Sequence, residues 1–272
     1  MSAVTVVACA LARAATLRGA LAGATPATAR RQRSIRRHCR SWARVLVPLL
    51  CLAWVAPAAA VQVSPAHSAA EAGLVDVHTL APTAVMEMRY ASGNNFTGRV
   101  VPGYAAPVCY LLRPAADALA RVARTLDAEG LRLQVFDCYR PVRAVRAFVA
   151  WAGDLREQSG KAQYYPRVDK QALLGDYIAE TSGHSRGATV DVGLLDCRHG
   201  PCQPLDMGTG FDFFDIRAHT DADGLSAAQR GNRQRLLRAM AAEGFVNYPL
   251  EWWHFTLRPE PTPDTAYDVP IP

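Results

Sequence analysis

The chain has no acidic residue before Glu71, yet its first 60 residues hold nine arginines. The formal charge of +6 over 272 residues is therefore a poor guide: with those nine set aside, 21 basic residues face 24 acidic ones, a net of −3. A basic face for nucleic acid is excluded, because the positive charge lies in one segment and not on a folded surface. The apolar run Val45 to Val55 is too short for a comfortable membrane span. No His-Glu-x-x-His occurs, which excludes the helical zinc-protease arrangement. No internal repeat or domain boundary follows the leader.

What is present in residues 1–60 reads as a secretory leader. Arginines from Arg30 to Arg44 form the positive region, Val45 to Val55 the apolar one, and Ala58-Ala59-Ala60 a small-residue cleavage site. An uncleaved anchor and lipidation at Cys51 are the alternatives. Residues 61–73 are small and polar and read as a linker, leaving 74–272 as one domain. Cys109, Cys138, Cys197 and Cys202 lie beyond the leader, and an even number in an exported chain favours disulfides over metal ligation. Cys109 with Cys138 and Cys197 with Cys202 is one of three possible connectivities.

Leu74–Val77 and Val85–Tyr90 alternate apolar and polar residues, as half-buried strands do. A helix starts at Pro114, carries Leu119, Val122 and Leu126, and stops at Gly130. Leu131, Leu133 and Val135 predict a strand running into Asp137, followed by a helix from Val142 to about Trp151. Another helix runs from a Ser226 cap to Gly244, and a final strand from Phe245 to Leu257 is broken near Pro249. Strands and helices mix without regular βαβ alternation, so the class is α+β, a single domain with a small mixed or antiparallel sheet packed by helices.

Three segments carry chemistry. In Ser182-Gly183-His184-Ser185-Arg186-Gly187-Ala188-Thr189-Val190-Asp191, Gly187 marks a turn that can set His184 across from Asp191. An imidazole and a carboxylate so placed suit zinc, or form a simple hydrogen-bonded pair. In Glu251-Trp252-Trp253-His254-Phe255, Glu251 and His254 could share a dry pocket if the chain bends, and otherwise His254 sits in an aromatic core strand. Arg140, held by Pro141 at a strand end, can stabilise charge developing on a substrate oxygen or can pair with Asp137. Together His184, Asp191 and His254 make a three-ligand zinc set with an open position, beside Glu251 as a base.

Ser-x-His-x-x-Gly-x-x-x-Asp followed by Glu-x-x-His resembles the zinc D,D-peptidase superfamily, which includes D,D-carboxypeptidases and D-alanyl-D-alanine dipeptidases. The dipeptidase branch is matched by Asn95-Phe96-Thr97-Gly98, Tyr139-Arg140-Pro141, Leu205-Asp206-Met207-Gly208 with Phe211-Asp212, and Glu251-Trp252-Trp253-His254-Phe255. The resemblance spans about Leu74 to Arg258 and implies an α+β fold with one Zn²⁺ on His184, Asp191 and His254 in a cleft. It also implies Glu251 as catalytic base, Arg140 as transition-state stabiliser and Ser182 lining the substrate site. Trp252, Trp253 and Phe255 are expected to wall the pocket. A dipeptidase must reject longer chains, which a carboxylate binding the free ammonium would do, and Asp206 and Asp212 are the candidates. The expected activity is hydrolysis of D-alanyl-D-alanine in cell-wall turnover, outside the cytoplasm. A D,D-carboxypeptidase on longer peptides and a non-catalytic peptidoglycan-binding module are the alternatives.

Overall fold

The computed structural model describes residues 60–272, so the expectations for the leader lie outside the described residues apart from Ala60. In chain order the elements are β1 (Gln62–Val63), β2 (Leu74–Asp76), β3 (Val85–Met86), β4 (Tyr110–Leu112), α1 (Arg113–Ala128), β5 (Leu131–Asp137) and α2 (Val142–Gly153). There follow α3 (Lys161–Tyr164), β6 (Thr189–Asp196), β7 (Gln203–Pro204), α4 (Ala227–Ala242), β8 (Phe245–Asn247), β9 (His254–Leu257) and β10 (Thr265–Ala266). The class is α+β.

The main sheet runs β3-β5-β6-β9-β8, with β7 on the end of β6; β3 is parallel to β5 and every other pairing is antiparallel. α1 begins with proline in its first turn, buries Leu119, Val122 and Leu126, and gives way at Gly130, whose φ is +72°. α4 opens with a capping box, in which Ser226 Oγ accepts from the Gln229 N–H while the Gln229 side chain accepts from the Ser226 N–H.

Two expectations need correction. The Val85–Tyr90 strand is only two residues long, since the chain turns into a 3-10 helix at Arg89–Ala91 and buries Tyr90. Residues 62–73 are not free: β1 pairs with β10, and Ala72 is buried in the core. β6 is covered on both faces from Thr189 to Leu195, so Asp191 sits inside the protein. Both expected cysteine pairs, Cys109–Cys138 and Cys197–Cys202, are joined.

Candidate active site

Register assembles the site. On the three adjacent strands β5, β6 and β9, Asp137 is paired with Asp191 and Asp191 with His254, so three polar residues form a row across the sheet. A register shift between Val135 and Asp137 brings Asp137 into that row. His184 arrives from the 3-10 turn Gly183–Arg186, closed by Gly187 at φ +71°. A Cβ on Gly187 would sit 3.0 Å from Leu74 and 3.1 Å from Leu112, so the turn requires glycine on both counts.

His184 Nε2 lies 3.3 Å from Asp191 Oδ1, His254 Nδ1 lies 3.2 Å from the same oxygen, and the two nitrogens are 3.3 Å apart. Zinc bonds of about 2.0–2.1 Å at tetrahedral angles separate ligand atoms by roughly 3.3 Å, so this triangle has the size of one face of a zinc tetrahedron. Asp191 Oδ1 is buried with no hydrogen-bond partner, a costly state for a carboxylate oxygen unless a cation meets it. The three residues fit a metal ion on both counts. Burial opposes ionisation of Asp191, but the His184 and His254 imidazoles beside it outweigh burial and hold the carboxyl below its ordinary range. The Nδ1–H of His184 donates to the Cys138 carbonyl at 2.7 Å, which leaves Nε2 free to ligate.

Glu251 is buried in the turn between β8 and β9, with Oε2 3.4 Å from His254 Nδ1. The bend expected near Pro249 is held by Asn247, whose amide donates to the carbonyls of Glu251 and His254 at 3.0 and 2.9 Å. Burial is the main cause that pushes the Glu251 carboxyl up to about 8, assisted by the charges of Asp191 and Asp212.

Arg140 pairs with buried Asp137 and lies 3.7 Å from Asp191, with its guanidinium over the rings of Tyr90 at 5.2 Å and Phe148 at 5.0 Å. The ion pair with Asp137 fixes a guanidinium that lines the cavity. This cavity of about 270 Å³ also receives Ser182, Asp191, Asp212, Glu251 and His254. Ser182 Oγ accepts from the His184 N–H.

The two aspartates proposed for the ammonium separate cleanly. Asp212 is buried on the cavity, in a left-handed conformation at φ 58°, and both its oxygens lie 3.0 Å from the Tyr90 hydroxyl. Burial, reinforced by the charge of Asp191, pushes its carboxyl well up. Asp206 is exposed and away from the cavity, accepting from the Gly208 N–H and the Gln229 amide, which makes it a turn residue. Of the expected aromatic wall only Trp253 lines the cavity; Trp252 donates to Thr209 Oγ1, and Phe255 is core. Tyr90, Phe148, Tyr177 and Tyr248 line it without having been expected; nothing in their local sequence distinguishes them from core aromatics.

The D-ala-D-ala dipeptidase model of peptidase family M15 matches residues 70–272. The D-alanyl-D-alanine dipeptidase of Streptomyces coelicolor is 40% identical over 186 residues, covering 68% of this chain and 91% of that protein. Those of Enterococcus faecium (38%, with the same coverage) and Escherichia coli (33%, covering 68% and 84%) are similar too. Among solved structures, a Zn(II) complex of a variant of the vancomycin-resistance D,D-pentapeptidase VanY aligns with 16% identity and a TM-score of 0.34. That alignment covers 55% of this chain and 73% of the other.

Proposed function

The chain belongs to the D-ala-D-ala dipeptidase family of peptidases, and we propose that it hydrolyses D-alanyl-D-alanine at a single zinc ion held by His184, Asp191 and His254. One observation carries the reading: the triangle of ligand atoms around an unpartnered Asp191 oxygen, with Glu251 and Arg140 on the same small cavity. When bound, zinc acidifies water and polarises the peptide carbonyl.

The residues of the chain supply the rest. Glu251 accepts a proton from the attacking water and passes it to the amine of the departing D-alanine; a carboxyl raised by burial is suited to holding that proton near neutrality. Arg140, clamped by Asp137 and two aromatic rings, stabilises the charge that develops on the carbonyl oxygen. Asp212, on the cavity wall, binds the ammonium of the substrate, and Ser182 lines the same pocket. A chain extended at the amine would leave Asp212 buried and unpaired, which selects the free dipeptide.

The protein acts outside the cytoplasm in this reading, after removal of the leader at Ala58-Ala59-Ala60. Two joined cysteine pairs support an oxidising compartment. No helix among the described residues is long and apolar enough to cross a membrane. The role that follows is recovery of D-alanine from wall turnover. N-terminal sequencing of protein from the cell envelope tests the first part, and a cytosolic mature form would refute it.

The activity is tested by hydrolysis of D-Ala-D-Ala beside N-acetyl-D-Ala-D-Ala, with zinc-loaded wild type and Glu251→Ala. Cleavage of the free dipeptide alone, lost in the variant, is expected. Equal cleavage of the blocked peptide would make the protein a carboxypeptidase, and zinc uptake without any cleavage a binding module.

A further inference from the structure

Building on the metal site proposed above, we infer that the Cys109–Cys138 disulfide is a positioning element for the ligand His184. β5 ends at Asp137, so the sheet ladder no longer holds Cys138, Tyr139 and Arg140. Yet this segment grips His184 from two sides: the Cys138 carbonyl accepts from the imidazole Nδ1–H at 2.7 Å, and the Arg140 N–H donates to the His184 carbonyl at 3.3 Å.

The segment is tied to the strand beside it by the disulfide and by the Tyr139 N–H, which donates to the Tyr110 carbonyl at 2.9 Å. That strand, β4, also meets the His184 turn, through the Leu112 N–H on the Gly187 carbonyl at 2.8 Å. Cys109 is anchored in turn by its carbonyl, which accepts from the Val77 N–H at 2.9 Å. The result is a closed ring: Cys138 to Cys109, along β4 to Leu112, across to Gly187, back to His184 and onto Cys138. The one covalent cross-link in that ring is buried at both cysteines. Without it, the segment is held to β4 by one backbone hydrogen bond, that of the Tyr139 N–H, while the Tyr139 hydroxyl, bonded to the N–H and carbonyl of Val269, ties it to the C-terminal segment instead.

Cys197–Cys202 is the internal control. It closes the exposed turn between β6 and β7 and touches none of the ligands.

The test is zinc affinity, read by competition with a chromogenic chelator well below the melting temperature. Loss of an outer partner of a ligating histidine typically weakens binding by about 10- to 100-fold; Cys109→Ser/Cys138→Ser is expected to lose at least about tenfold and Cys197→Ser/Cys202→Ser less than about twofold. A purely structural cross-link would lower the melting temperature of the metal-free protein and leave the zinc affinity of the folded state unchanged, and that result overturns the inference while the metal site stands. A wild type that takes up no zinc overturns both. Should the serine pair not fold, Cys109→Val/Cys138→Ala refills the buried volume. A further readout needs no substitution: the His184 Nδ1–H proton in metal-free wild type is expected to be exchange-protected by NMR and to lose protection on mild phosphine reduction. Unchanged protection after reduction also overturns the inference.

Discussion

Arg140 grips a single oxygen of Asp137 with two of its nitrogens, Nε at 3.0 Å and Nη2 at 2.9 Å, while the other Asp137 oxygen accepts from the Tyr104 hydroxyl at 2.7 Å. Burial raises the Asp137 carboxyl, and the charges of Arg140 and His184 oppose that shift. The guanidinium also lies between two buried carboxylates, those of Asp137 and Asp191, which would otherwise repel across adjacent strands.

Arg140→Lys is therefore expected to fail as a conservative change. A lysine is a point charge without the planar fork, so it cannot hold Asp137 through two donors and face the substrate oxygen as well. Loss of an oxyanion donor costs about a hundredfold to a thousandfold in kcat, and both Arg140→Lys and Arg140→Ala should fall in that range with little change in KM. Steady-state kinetics on D-Ala-D-Ala decide it, and near-wild-type kcat for the lysine variant would remove Arg140 from the chemistry.

Asp212→Asn should act on binding instead. Hydrogen bonds to charged groups are worth about 1.5–3 kcal/mol, so KM for the free dipeptide should rise roughly tenfold to a hundredfold. Discrimination against the N-acetylated peptide should fall with it, because the neutral amide no longer demands an ammonium. An unchanged ratio between the two substrates would show that some other group reads the amine.

The parts of this site legible in the sequence were those set by local spacing. Gly187 announced the turn that brings His184 to Asp191, and Pro249 marked a bend ahead of Glu251. The row Asp137–Asp191–His254 was not legible, since it depends on the register of three strands far apart in the chain. The burial of β6 on both faces was not legible either, because period-two patterning has no signal for a second cover. Asp206 and Asp212 were indistinguishable on paper because each lies in a turn. Only packing puts one against Tyr90 on the cavity and the other in solvent.

Lys170 is buried, with its ammonium 3.8 Å above the Trp151 ring, donating to the carbonyls of Asp154 and Glu157 and to the Glu157 carboxylate. It pins the loop after α2, the segment that leads to the cavity wall at residues 175–183. Lys170→Met keeps the stem but leaves the Asp154 and Glu157 carbonyls without this donor, while the Glu157 carboxylate keeps the Trp151 N–H, at a cost of about 2 kcal/mol. A lower urea midpoint with an unchanged slope is the expected result, and an unchanged midpoint would mean that water replaces the ammonium at no cost.

Asp215 gives the acid limb of stability. Its buried carboxylate accepts from Arg167 Nε at 2.7 Å, from Arg217 Nε at 3.0 Å and from the Arg217 N–H at 3.0 Å, capping the short 3-10 helix Ile216–Ala218. The Arg167 hydrogen bond is the largest cause that holds its carboxyl below the ordinary range, against burial, with Arg217 adding to it. A folded-state value below the unfolded one of about 3.9 means that the stabilisation is fully present above pH 4 and drains away as pH falls further. Asp215→Asn keeps an oxygen for the cap but loses the charge, so metal-free variant and wild type should differ most at pH 6–7 and begin to converge as pH falls below about 4. Urea midpoints between about pH 2.5 and 7 would show this convergence. Parallel curves would instead assign the role of Asp215 to the uncharged cap, with the two arginines as solvated neighbours.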